Sequence, residues 1–382
     1  MSARDGWSAT AARGRIGGLR GHAIAIAGGA ILLGGLWLLP DLAPEPTIEQ
    51  PVDLAHGRIE QFLPEADDPT LPDVLVTILD GPRAGETLDA YLQGPSGQIE
   101  IPDYKVGEEV IVSLAEGPED VFVAVSDRYR VPLFAAILGL FALGVVAVGG
   151  WRGLRSLLAL ALTLGVITKL VVPLLLAGWD AVFLAVLAAS GVTLATILLT
   201  EGLRPASIAA VGGTFAALAL TALLAQLVNG AAGFTQLQGQ EAAIFLQSLG
   251  LEVDISGLLL AAVIFGALGV LDDVTVTQAA TVTELAEADP RAGPRELAGR
   301  AMNVGRSHIA ATVNTLVLAY VGASLPLIVL FAAGGADPLL VASGEVVAVE
   351  IVKAIVGSIG IVAAVPLTTA ISVLSIQAFR RG

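Results

Sequence analysis

The stretch that decides the fold runs Gly269-Val270-Leu271-Asp272-Asp273-Val274-Thr275-Val276-Thr277-Gln278-Ala279-Ala280-Thr281-Val282-Thr283-Glu284. It follows directly on the apolar run Leu258–Leu271. An apolar run of this kind continuing into a polar stripe describes a helix that lies in lipid and carries carboxylates with it. Carboxylates in a bilayer core are costly, so they face a protein interior or a water-filled path. The remainder of the chain must supply that interior.

It has the composition to do so. Of its 382 residues 55% are hydrophobic and 14% are charged, with mean hydropathy +0.80. Several apolar runs reach the roughly 18 residues that a helix needs to cross a bilayer core. Eight spans follow: Ala23–Leu39, Val131–Gly150, Leu157–Leu176, Ala181–Thr200, Ile208–Val228, Gly257–Gln278, Ile309–Phe331 and Val346–Val373. The chain contains no cysteine, which excludes disulfides, thiolate metal sites and cysteine nucleophiles.

The net charge of −15 sits in one segment, because Asp41 to Arg130 carries 20 acidic and 5 basic residues. Its apolar residues alternate in short runs at Asp73–Leu79, Ile99–Ile101, Glu109–Leu114 and Val121–Val125, and Gly81-Pro82-Arg83-Ala84-Gly85 reads as a hairpin turn. These features predict a small β-barrel or sandwich, OB-like in size. The acidic doublet Asp67-Asp68 reads as a solvated loop. No basic stripe is present and aromatic residues are few, which argues against nucleic acid as a partner.

Basic residues mark the cytoplasmic side. They fall at Arg4 to Arg20, Arg152, Arg155, Arg204, Arg291 to Arg306, Arg380 and Arg381, whereas the opposite loops carry acids such as Asp180, Glu241, Glu252, Asp254, Asp337 and Glu345. Both termini are therefore expected inside. The predicted order is a cytoplasmic tail (1–22), an uncleaved anchor helix (23–39), an acidic extracytoplasmic β domain (40–130) and a seven-helix transmembrane domain (131–382). An amphipathic turn is expected over Glu241–Leu249. The expected class is thus an all-α polytopic membrane bundle of about eight helices with a small extracytoplasmic β domain between the first two.

Depth and helical phase locate the candidate site. At about 1.5 Å per residue, Asp272 lies roughly 24 Å along the sixth span from Ser256, in the inner half of a core about 30 Å thick. Asp273, Thr277, Thr281 and Glu284 fall within about 80° of one another, while Asp272 points about 100° away. Asn314 and Thr315 reach a similar depth on the seventh span, with His308 and Glu284 at the mouth. Lys169, Glu350 and Lys353 share the outer half as a second, ion-paired cluster, in which Lys169 is expected to pair with Glu350. Interhelical glue is the plainer role for the acids, and a structural ion pair is the plainer role for the lysines. Gly266, Gly269, Gly357 and Gly360 should allow close helix packing; Pro173, Pro326 and Pro366 should kink or interrupt their spans.

Three runs carry a resemblance: GVLDDVTVTQA (Gly269–Ala279), HIAATVNTLVLAYVGASLP (His308–Pro326) and EIVKAIVGSIG (Glu350–Gly360). Together they resemble the YibE/F-like multi-pass membrane proteins of bacteria, over the region from about Val131 to the C-terminus. The resemblance implies a bacterial inner-membrane location and no particular reaction. It also implies an apolar residue in other members where this chain has Asp272, with acids kept at Asp273 and Glu284. That favours Asp273 and Glu284 as the essential pair.

The function expected from these features is transport or conduction of a small polar solute or ion, with Asp273, Asp272, Glu284, Thr277, Thr281, Asn314, Thr315 and His308 as the binding track. Oxygen ligands without cysteine suit a proton or a hard cation such as Mg²⁺, Ca²⁺ or Mn²⁺, and any metal would fall to Asp273, Asp272 and Asn314. The alternative is a non-transporting sensor, scaffold or assembly factor whose β domain binds an extracytoplasmic protein, and a homo-oligomer fits either reading. An intramembrane hydrolase ranks third, because two acids about 100° apart on one helix do not face each other as a dyad.

Overall fold

The computed structural model describes residues 25–40, 42–44, 53–64, 72–92, 102–116, 121–202, 204–234, 244, 254–335 and 337–381. The expected N-terminal tail, the run Ile99–Ile101, the doublet Asp67-Asp68 and, apart from Ile244, the turn over Glu241–Leu249 lie outside them. The chain divides into two compact units, 46–144 and the remainder.

In the first unit, strands β1 (Asp53–Phe62), β2 (Val74–Ile78), β3 (Thr87–Leu92), β4 (Glu109–Glu116) and β5 (Val121–Arg128) close into a barrel in the order β1-β2-β3-β5-β4. Neighbours pair antiparallel except β3 and β5, which are parallel. It is therefore a Greek-key, OB-like barrel and not a sandwich. The pleat puts alternate residues inside: Val74, Val76 and Ile78 of β2 meet Val110 and Val112 of β4 and Val123 and Val125 of β5 in its core. The hairpin turn lies where the glycines placed it, with Gly81 and Gly85 at φ 75° and 91°. At the end of β5, the Arg130 guanidinium bonds Asp127 at 2.7 Å and holds that carboxyl below the usual carboxylate range.

The second unit is helical: α1 (Ala25–Trp37), α2 (Val131–Val166), a π-helical turn (Ile167–Val171), α3 (Val172–Leu176), α4 (Ala181–Glu201), α5 (Pro205–Ala232), α6 (Ile255–Ala288), α7 (Pro294–Ala323), α8 (Leu325–Ala333), α9 (Pro338–Ser343) and α10 (Glu345–Arg381). The first 14 residues of α2 belong to the barrel's unit. Among the described residues, five helices are long and apolar enough to cross a membrane, or six when the bent pair α7–α8 counts as one span. The expected eight is therefore not reached by length alone. The second and third expected spans fall in one helical run, Val131–Leu176, and the described part of α1, Ala25–Trp37, is shorter than a full span.

That run is broken at Gly150, whose φ of 55° and ψ of −135° no ordinary helical residue adopts. In a straight helix Val145 and Gly153 would be about 12 Å apart along the axis. Here a β-carbon on Gly153 would run into the Val145 carbonyl, so the chain folds back on itself at Gly150. The prolines mark further interruptions. Pro173 follows the π turn, and Pro326 sits at the α7–α8 junction, where the axes bend by 58°.

Helices α5, α6 and α10 pack mutually, with α4 against α5 and α6, and α7 against α6 and α10. Their shared core is built from small and branched residues, including Ala189, Val192, Ala217, Leu218, Ile264, Ala267, Leu271, Leu316 and Ile361. Small residues bring backbones close together, which is how helices associate where lipid gives no hydrophobic drive. Gly213 lies on Thr368, Gly360 on Thr221, Gly357 on Leu316 and Gly266 on the Tyr320 hydroxyl. Gly269 has nothing within 4 Å and opens onto a cavity.

Gly213→Ala would place a methyl group inside Thr368, so α5 and α10 must separate; we expect a loss of about 1–3 kcal/mol. Gly269→Ala should leave stability unchanged. Thermal unfolding of the two purified variants in one detergent distinguishes them.

Candidate functional site

The polar stripe of α6 is divided between two neighbours. Asp272 turns toward α4, where its Oδ1 accepts from Thr193 Oγ1 at 2.9 Å and its Oδ2 from Thr196 Oγ1 at 3.4 Å. Thr193 is fully buried and Asp272 partly so. One turn further, Thr275 Oγ1 and Thr214 Oγ1 of α5 share a 2.6 Å hydrogen bond. Beyond it, Gln278 Nε2 donates to the Ala301 carbonyl of α7 at 3.1 Å and to Thr369 Oγ1 of α10 at 2.8 Å. Asp272, Thr275 and Gln278 thus tie α6 to α4, α5, α7 and α10 through buried polar contacts. Each satisfies a group that would be expensive to bury alone.

Asp273, about 100° further round α6, is exposed and lines a cleft of about 420 Å³ whose edge Asp272 also reaches. Ser156 and Thr163 of α2, Thr196, Thr200 and Glu201 of α4, and Gly269 and Asp272 of α6 are among its other walls. A second cavity of about 440 Å³ shares Glu201 and Val276 with the first and is lined further along by Arg204, Ser207, Thr283, Glu284 and Glu287. Carboxylates at Asp273, Glu201, Glu284 and Glu287 therefore border two adjacent cavities that together make a groove between α4, the start of α5, and α6. Arg155 of α2 is 7% exposed and donates to the Leu199 carbonyl at 3.4 Å, near the end of α4 where Glu201 begins the second cavity.

The match to expectation is uneven. Asp273 and Glu284 lie on the groove as the helical phase required. Thr277 is exposed, and Thr281 donates to its carbonyl at 2.8 Å. Asn314 and Thr315 are exposed on α7 and line neither cavity, so the expected cluster with Asp273 does not form. Equal depth did not mean equal face: α6 turns Asp273 toward α2 and α4. His308 is half-buried, and its Nε2 is buried without a hydrogen-bond partner. In the second cluster Glu350 binds Lys353 Nζ at 2.7 Å, three residues on in the same helix, rather than Lys169. The Lys169 ammonium lies instead 5.4 Å from the Trp37 ring centre, a cation–π distance.

Sequence reasoning missed the α4 side of the site. Thr193, Thr196 and Thr200 recur at spacings of three and four, the signature of one helical face, and Glu201 closes that face. Among the described residues no three His, Asp or Glu side chains converge as a metal-ligand set.

A family model described as YibE/F-like protein matches residues 137–378, which takes in the groove, its acids and all of α4 to α8. The chain belongs to the YibE/F-like family. No curated protein and no solved structure matches it. In this YibE/F-like chain the matched region begins after the last strand of the β-barrel, within the first turns of α2.

Thr193→Val removes the shorter of the two hydroxyl donors to Asp272 and leaves its carboxyl under-bonded. We expect a loss of about 1–3 kcal/mol in unfolding, mostly recovered by Thr193→Ser, whereas Thr315→Val on the exposed face of α7 should change stability little. Equal melting temperatures for Thr193→Val and wild type would contradict this account of the α4–α6 contact.

Proposed function

We propose that this YibE/F-like protein is a bacterial inner-membrane transporter or channel that passes a proton or small cation along the α4–α6 groove. The observation that carries the reading is the row of carboxylates, Asp273, Glu201 and Glu284, bordering two cavities that share Glu201 and Val276. Acids within membrane helices mark ion or proton pathways, since their cost is met only by a polar route or partner. The acids here are spaced along the groove. A cation would be handed from one carboxylate to the next, which suits conduction through several weak sites. Asp273 and Glu284 are the binding groups in this reading. Asp272, held by Thr193 and Thr196, fixes α6 against α4 and keeps Asp273 turned into the cleft.

The proposed topology has eight crossings: α1, the parts of the Val131–Leu176 run before and after Gly150, α4, α5, α6, the bent α7–α8 pair and α10. The fold-back at Gly150 supports counting that run twice. The distribution of arginines supports a cytoplasmic position for both termini, with the barrel outside.

A scaffold or sensor role is the competing reading. It draws on the barrel, where Phe122 is 44% exposed and stacks on Tyr91 with ring centres 4.9 Å apart. In that reading the helices only anchor.

Proteoliposomes containing the full chain, loaded with a pH dye or with K⁺- and Mg²⁺-sensitive dyes and given the matching gradient, separate the two. Transport predicts flux of at least one of these ions above empty vesicles. It also predicts an approximately tenfold or larger loss in Asp273→Asn and a smaller loss in Glu284→Gln, with both variants folded. Flux no greater than in empty vesicles for all three ions, or full flux in Asp273→Asn, would overturn the assignment.

A further inference from the structure

A third cavity, of about 260 Å³, lies at the Arg380 end of the bundle between α5, α6 and α10. Thr283 and Glu287 of α6, Pro205 and Ala206 of α5, and Ser372 and Arg380 of α10 line it. Its volume equals that of roughly eight or nine liquid waters, room for a compact polar molecule.

Ser372 is the first pointer to a ligand. It is 2% exposed, and its Oγ has no hydrogen-bond partner. Among the other hydroxyls of α10, Ser358, Thr369 and Ser375 each donate to the carbonyl four residues back, at 2.7 to 2.9 Å, whereas Thr368 is buried and unpartnered as Ser372 is but does not line this cavity. Ser372 forgoes that local bond and lines the cavity instead. A buried hydroxyl without a partner is costly unless something occupies the space beside it.

The charges supply the second pointer. Arg380 donates to the carbonyls of Ala286 at 3.2 Å and Ala292 at 3.4 Å, and its guanidinium retains further N–H groups. Those contacts anchor it at the end of α6 rather than on Glu287. The start of α5, the positive end of a 28-residue helix with no side-chain cap, also borders the cavity; Pro205 has no N–H, so Ala206 supplies the one first-turn amide among the lining residues. One cavity thus offers an oxyanion-binding half, made by Arg380 beside the N-terminal end of α5, and an ammonium-binding carboxylate, Glu287. Opposite charges that border one cavity without neutralising each other complement a molecule that carries both.

We propose that this cavity binds a small zwitterion, an ammonium group and an oxyanion joined by a short linker, with Ser372 and Thr283 hydroxyls bonding between the charges. Such a group is supplied either by a free amino acid or phosphoamine or by the headgroup of an aminophospholipid at the membrane surface. This cavity shares Pro205, Ala206, Thr283 and Glu287 with the second cavity of the groove, but its test reads binding alone and so can fail or succeed whatever the groove conducts.

The full chain, purified in nanodiscs of phosphatidylglycerol, is titrated calorimetrically with O-phosphoethanolamine and with alanine. Ethylamine and inorganic phosphate serve as single-charge controls. Native mass spectrometry of the chain from mixed nanodiscs reads retention of phosphatidylethanolamine. Saturable binding of a free zwitterion, about tenfold tighter than either control, supports the site and assigns a soluble ligand. Retained phosphatidylethanolamine without free-zwitterion binding supports it and assigns the headgroup. In either case Glu287→Gln should weaken binding about tenfold and Ser372→Ala about fivefold, with unchanged melting temperature for the unliganded variants. The proposal fails if neither zwitterion nor phosphatidylethanolamine is retained, or if both variants bind as wild type does.

Discussion

The helical region depends on one requirement: a carboxylate placed among apolar helices must have its oxygens bonded. Asp272 meets it with hydroxyls from α4, Thr193 and Thr196. That contact fixes the rotation of α6 about its own axis, because a helix cannot turn one residue inward without turning its neighbour about 100° away. With Asp272 committed to α4, Asp273 must face the cleft, Thr275 must meet Thr214, and Gln278 must reach Ala301 and Thr369. The small residues of α5 and α10 then let backbones approach close enough for those short side chains to meet. Polar satisfaction sets which faces pack, and residue size sets how closely.

Much of this was legible in order along the chain and little of it across the chain. The apolar runs, strands β2, β4 and β5, the hairpin turn and the helical phase of Asp273, Thr277 and Glu284 all follow from local periodicity, whereas the choice of barrel over sandwich does not. Strands β1 and β3 were not. In β1, His56, Gly57 and Arg58 interrupt the apolar alternation, and Gly57 is needed because a β-carbon there would meet the Val76 side chain. In β3, Thr87–Leu92 carries Asp89 and Tyr91 in positions that composition assigns to a loop. Both strands are specified by their partners in the closed sheet.

The same limit explains the site. Depth can be computed from one helix, but the direction of a neighbour cannot. Counting residues along each helix puts Asn314 level with Asp273, yet its side chain is exposed on α7, while Thr193, Thr196 and Thr200 read in sequence as ordinary members of an apolar helix. Threonine in a membrane helix usually bonds its own backbone, as Thr200 does to Thr196, so its sequence signal is weak. Lys169 was similarly assigned by charge to Glu350, when a nearer carboxylate binder, Lys353, was three residues away and Trp37 offered a ring face.

The barrel closes on a narrow seam. Among the described residues, strands β3 and β5 join through the pairs Tyr91–Ala124 and Leu92–Val125, whereas β4 and β5 pair along most of their length. Among the described strands, closure leaves no free edge on which an extended peptide could be added as a sixth strand. A partner must therefore read side chains and loops, unless it first pries the sheet apart. If it does, the short parallel seam is the place of least resistance, and the stacked Tyr91 and Phe122 rings form the latch across it.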